Sequence, residues 1–166
     1  MAKEPKKLDD LFHDTLKDIY YAEKKIFAAL PKMAKAAQNP DLKAAFTKHH
    51  GETEEQISRL EQVFESIGEK PVGKKCAAIE GILEEGTEIM EEYKGSPALD
   101  AGLISSAQAV EHYEICRYGT LATWADELGN DEGAKLLKET LAEEEDTDEA
   151  LSELAETAVN QEAEAA

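Results

Sequence analysis

The sequence predicts an all-α fold: a four-helix bundle whose halves are joined by a long crossover connection carrying an extra short helix. Three observations predict it. Ala, Glu, Leu and Lys dominate, β-branched residues are sparse, and the few Gly and Pro fall mostly between periodic runs. Apolar residues recur at spacings of three and four over long stretches, the signature of one helix face. Two helical pairs also overlay on each other at a constant offset of 91 residues, Glu23 on Glu114. A chain of 166 residues, 42% hydrophobic, suits one domain spanning 1–166 with a substantial core.

Residues 1–7 read as a charged, flexible start. The first helix is predicted over 8–37, with Leu8, Phe12, Leu16, Ile19, Glu23, Phe27 and Leu30 inward and a kink at Pro31. Asn39-Pro40-Asp41 marks a turn into a second helix over 41–67. Its core face carries Phe46, Thr53, Leu60, Phe64 and Ile67, flanked by His49, His50 and Gln56, and Gly68 caps its end. The connector holds a short helix over 76–93, weakened by Gly81 and Gly86 at about 1 kcal/mol each relative to Ala. A further long helix spans 98–128 and ends at Gly129-Asn130. The last spans 132–159, with Leu136, Leu137, Leu141, Glu144, Leu151, Leu154 and Ala158 inward, and residues 160–166 read as a disordered tail.

The repeat sets Phe12 on Leu103, Ile19 on Val110, Glu23 on Glu114, Phe27 on Tyr118, Asn39 on Asn130, Phe46 on Leu137 and Leu60 on Leu151. Two helical hairpins related by a pseudo-twofold follow. The segment from Gly68 to Pro97 is long enough to cross the bundle, the one-crossover, ferritin-like arrangement.

Glu114 sits where a Leu belongs, on the face made by Leu103, Ala107, Val110, Tyr118 and Leu121. A lone buried carboxylate costs several kcal/mol or takes a proton, and the usual remedies are a cation partner or a metal. In the predicted bundle Glu23 and Glu114 share one level with Glu52 and Thr53, and with Glu143 and Glu144. One turn away come His49, Glu111, Thr147 and Asp148. Ferritin-like di-iron sites use a Glu on each of two helices and Glu-x-x-His on the other two. Here His49 precedes Glu52 by three, Thr53 stands opposite Glu144, and Thr147 occupies the second His position. This set is compatible with an altered dinuclear centre, one metal ion, or none. A centre would be lopsided, with Glu111 and His49 on one side and Tyr20 and Gln56 on the other.

The composition excludes other classes. A net charge of −19 repels nucleic acid and anionic lipid. Cys76 and Cys116 fit no ligand or redox spacing and suit a reducing compartment; Cys116, one turn from His112, reads as a buried structural thiol. No membrane span, signal segment, phosphate loop, nucleophile elbow or HExxH motif is visible, and the cytoplasm is the expected location.

The segments DIYYAEKKI, HHGETEEQISRLEQVF, VEHYEICRYGTL and LLKETLAEEEDTDEALSEL resemble the YciE/YciF-type ferritin-like stress proteins of bacteria, over about residues 8–158. The resemblance implies a ferritin-like bundle, a homodimer and a cytoplasmic link to stress responses. The function expected is iron or peroxide handling at a di-iron or other dinuclear centre, with oxygen or peroxide as oxidant. Glu23, Glu114 and Glu144 would be direct ligands, with His49, Glu52, Glu111 and Asp148 completing or supporting the set. The alternative is a non-enzymatic dimeric stress or scaffold protein that keeps the fold with a degraded site. A third reading, a salt-responsive acidic protein, rests on net charge alone.

Overall fold

Local chemistry fixes where the helices start and stop. Asn39 accepts from the backbone N–H groups of Asp41 (2.9 Å) and Leu42 (3.2 Å), with Pro40 at the first helical position. Its repeat mate Asn130 accepts from Gly133 N–H at 2.9 Å. Gly68 and Gly129 follow helix ends with φ of 71° and 73°, a left-handed conformation that costs glycine little. The computed structural model describes residues 5–165; residues 1–4 and 166, part of the ends expected to be flexible, lie outside the described residues.

Five long helices result: α1 (Leu8–Ala36), α2 (Pro40–Ser66), α3 (Ala77–Glu92), α4 (Leu99–Glu127) and α5 (Asp131–Leu154). A π-helical turn (Ala155–Val159) leads into α6 (Asn160–Ala165). No strand occurs among the described residues. α1 runs unbroken through Pro31, which is exposed. The stretch read as a disordered tail is helical up to Ala165, because α6 continues from α5 and packs beside α4.

Four of these helices close a ring in the order α1, α2, α5, α4, and α3 lies outside it against α1 and α4. Two contacts between distant segments fix the directions. At one end, the Asp100 carboxylate, at the start of α4, accepts from Gln38 N–H (2.9 Å) and Asn39 N–H (2.6 Å) in the α1–α2 turn. At the other, Asn130 in the α4–α5 turn donates to Ser66 Oγ at the close of α2 (2.8 Å). Helices α2 and α4 therefore run parallel, and the segment containing α3 carries the chain back along the ring. Gly102 lets α3 approach closely: a Cβ there would stand 2.6 Å from Ile89 Cγ2.

The core departs from the sequence expectation at three places. Ile26 fills the interior beside Glu23, while Phe27 is half-buried and stacks on His50 at 4.1 Å between ring centres. On α5 the buried residues are Gly133, Ala134, Leu137, Thr140, Glu144 and Leu151, with Leu136 and Leu141 at the edge. Beyond Leu151 the inward face continues through Ala155, one turn on, and through Val159 at the end of the π turn, while Leu154 and Ala158 are only half-buried.

Candidate metal centre

Each of the four ring helices sends a polar side chain into the core at one level. Glu23 comes from α1, His49, Thr53 and Gln56 from α2, Glu111 and Glu114 from α4, and Glu144 from α5. Glu23, Glu114 and Glu144 have no exposed surface, and His49 and Glu111 expose 3% and 2%. The helical period forces this direction, since apolar residues above and below each carboxylate fix the inward face. Single ligand atoms of His49, Glu111, Glu114 and Glu144 all lie within 4.8 Å of one another.

The hydrogen bonding at this level is incomplete. Tyr118 donates its hydroxyl to Glu23, and Gln56 donates its amide to Glu144 and, at 3.1 Å, to Glu143. His49 Nε2 lies 3.3 Å from Glu111 Oε1 and 3.7 Å from Glu144 Oε2, and Nδ1 lies 3.6 Å from Glu52 Oε2. Among the described residues, nine buried side-chain atoms have no hydrogen-bond partner, and all nine belong to this level: one or two each on Glu23, His49, Glu52, Gln56, Glu111, Glu114 and Glu144. Buried polar groups are normally satisfied, so such a concentration marks room for a charged ligand.

The electrostatics agree. Burial, then the nearby Glu144 charge, raises Glu23 to about 8, against the opposing bond from Tyr118. Burial also holds Glu111 and Glu114 well above the carboxylate range, reinforced by the surrounding carboxylates. The Tyr118 hydroxyl is raised by burial and by Glu23 and Glu114. Burial disfavours a charged His49, but Glu52, Glu144 and Glu23 outweigh it and raise the imidazole. Glu52 is held at about 2 by His49, with Lys48 assisting. Without a counter-charge, burial thus favours the neutral form of Glu23, Glu111 and Glu114.

The remaining residues singled out from the sequence lie further out. Glu52 is half-buried and pairs with Lys48 at 2.6 Å. Asp148 lies outside the four-residue group; its carboxylate meets His112 at 3.0 Å and Gln108 at 3.1 Å. Tyr20 does not reach the centre, because its hydroxyl turns to Glu61 at 2.8 Å. Tyr118 takes the place beside Glu23. The sequence held the signal for it, one turn beyond Glu114 on the same face. Glu143 faces Arg59, which grips it through both nitrogens at 2.7 and 2.6 Å. Arg59, one of two arginines in the chain, was not singled out by sequence reasoning. Cys116 is exposed rather than buried, while Cys76 is buried and touches the Tyr113 hydroxyl at 3.1 Å.

A family model described as a domain of unknown function, DUF892, matches residues 7–164. The chain belongs to the DUF892 family. The DUF892 relative YciF of Escherichia coli K12 is 48% identical over 160 residues, covering 96% of each chain. The crystal structure of that relative, described as a stress protein, matches with a TM-score of 0.89 over 94% of this chain and 99% of that one. YcfI of Rhodopseudomonas palustris, for which a structural role has been put forward, is 45% identical with a TM-score of 0.86, over 92% of this chain and 97% of that one.

The residues present fit a metal. Three carboxylates and one imidazole converge, each with at least one unpartnered buried atom, a donor set suited to iron, manganese or zinc. His49, Glu111, Glu114 and Glu144 would hold one ion, and Glu23 stands next to them.

Proposed function

We propose that this chain is a ferritin-like stress protein whose four-helix bundle holds a dinuclear metal centre, iron by preference, for iron or peroxide handling. The observation that carries this reading is the set of nine unpartnered buried polar atoms at one level of the core. Charge supports two ions. The four buried carboxylates Glu23, Glu111, Glu114 and Glu144, as anions, would be balanced by two divalent cations. When bound, iron supplies reversible one-electron chemistry toward oxygen or peroxide. The chain's own groups set the conditions: Tyr118 orients Glu23, Gln56 orients Glu144, and the apolar helix faces keep water out. The stress role follows the likeness to YciF. The homodimer and cytoplasmic residence implied by the resemblance belong to the same reading, as does the absence of nucleic-acid and membrane partners. A charge of −19 disfavours both surfaces, and no helix among the described residues is long and apolar enough to cross a membrane.

A second reading has its own support. Thr53, Gln56 and Thr147 stand where a Glu-x-x-His pattern places ligands, which favours a non-enzymatic dimeric scaffold with a degraded site. Anaerobic Fe(II) titration of the apoprotein, followed by oxygen or peroxide, separates the two. The metal reading expects dinuclear uptake and a new absorbance on oxidation, both lost in a folded Glu23→Ala/Glu114→Ala variant. A wild-type protein that takes up no Fe(II) leaves the scaffold reading in place.

A further inference from the structure

The pseudo-twofold relates the two ends of the seam between α2 and α5, yet the two ends differ. At one end Arg59 clamps Glu143, reaches Thr140 (3.3 Å) and Glu139 (3.3 Å), and Gln56 closes the gap behind it. The repeat places Ala150 where Arg59 stands, Thr147 where Gln56 stands, and Glu52 where Glu143 stands. At that second end no arginine bridges the helices. A cavity of about 70 Å³ opens there, room for several waters. Lys48, Glu52, Asp146 and Ala150 line its outer part, and His49 and Glu111 line its floor. Exposure falls along this line, from 71% for the Lys48 side chain to 24% for Glu52, 4% for His49 and 2% for Glu111. The Nδ1 and Nε2 atoms of His49, Glu52 Oε2 and Glu111 Oε2 are buried along it without partners.

We propose that this gap is the route by which a divalent cation reaches the core, with Glu52 as the docking carboxylate at its mouth and His49 as the next ligand inward. The inference rests on the metal reading above and adds where the ion comes in. Carboxylates at the outer end draw a cation from solution, and Lys48, whose ammonium sits 2.6 Å from Glu52, must move aside for it. Past Glu52, the cation meets His49 and then Glu111, so it exchanges water for protein ligands stepwise. The Arg59 end offers no such ladder, because a largely buried arginine holds its carboxylate through two nitrogens, unlike the exposed Lys48, and Gln56 fills the gap behind it.

Anaerobic stopped-flow mixing of the apoprotein with Co(II), followed by the visible bands of the bound ion, tests the route. Ala150→Arg copies the closed end onto the open one. It is expected to slow uptake by about tenfold or more, with the final amount bound unchanged. Lys48→Ala removes the competing ammonium and is expected to speed uptake severalfold, which keeps the test decisive if the arginine variant folds poorly. Wild-type uptake with wild-type rates in either folded variant would overturn the route while leaving the metal reading intact. No uptake by the wild type at all would overturn the metal reading itself, and the route with it.

Discussion

Tyr118 on α4 donates its hydroxyl to the Glu23 carboxylate on α1, with both residues fully buried. It is the direct side-chain hydrogen bond that Glu23 makes, and the other Glu23 oxygen has no partner. Tyr118→Phe keeps the ring and removes the donor. The metal-free variant is expected to lose about 1–3 kcal/mol of stability, the cost of leaving a buried polar group unpaired. Urea denaturation checks this, and unchanged stability would show that Glu23 does not depend on Tyr118.

Glu114 has neither oxygen partnered, although it lies amid Val110, Tyr118 and Leu121. Glu114→Leu restores the apolar residue that the helix face calls for. The metal-free variant is expected to be more stable than the wild type by about 1–3 kcal/mol, with metal binding lost. A lower melting temperature for the metal-free variant would contradict the cost assigned to this carboxylate.

Stability of the metal-free protein is expected to fall as the pH rises from about 4.5 to about 8. Glu23 has its folded pKa raised from 4.5 to about 8, so between those values the folded state binds more protons than the unfolded chain. Below 4.5 both states are protonated, and the advantage is fully present; it is lost as pH climbs through 8. Glu111, Glu114 and His49 are raised too and act in the same sense. Glu52, lowered to about 2, contributes stability above 4.5 that disappears as pH falls toward 2. Thermal melts across pH 3–9 should therefore peak in mild acid, and a divalent metal should flatten the alkaline fall. A metal-free protein that gains stability from pH 5 to 8 would refute the account.

Asp100 ties the start of α4 to the α1–α2 turn through two backbone donors. Hydrogen bonds to a charged acceptor rank among the stronger ones, and Asp100→Ala is expected to cost about 2–3 kcal/mol. Chemical denaturation provides the measure. A change below about 0.5 kcal/mol, the scale of an ordinary surface substitution, would remove Asp100 from the contacts that fix the parallel course of α2 and α4.

The helices were legible because their apolar period is long and their ends carry Asn39, Gly68, Gly129 and Asn130. The 91-residue repeat also made the levels of Glu23 and Glu114 readable. What periodicity could not resolve was fine phase. Ile26 and Phe27 are both plausible inward residues one step apart, and only packing against α2 chooses between them. Beyond Leu151, apolar spacing fits Leu154 and Ala158 as well as it fits Ala155 and Val159. Side-chain reach was similarly hidden. Tyr20 and Tyr118 both lie near the predicted level, yet one hydroxyl turns outward to Glu61 and the other inward to Glu23. Asp148 looked equivalent to Glu111 by level, but its rotation about α5 gives it to His112 and Gln108.

The repeat also bears on how such a core can specialise. Glu23 and Glu114 are repeat mates and keep the same residue type, yet only Glu23 has a hydroxyl partner, because Phe27 stands in the repeat where Tyr118 does. Away from that pair the two halves have parted company: His49 against Thr140, Glu111 against Tyr20, Arg59 against Ala150. A tandem pair of hairpins in one chain permits this division of labour, whereas two identical hairpins associating as separate chains would have to carry every residue in both places. The asymmetry of the core is thus a freedom conferred by joining the halves, and the segment bearing α3 is the covalent link that confers it.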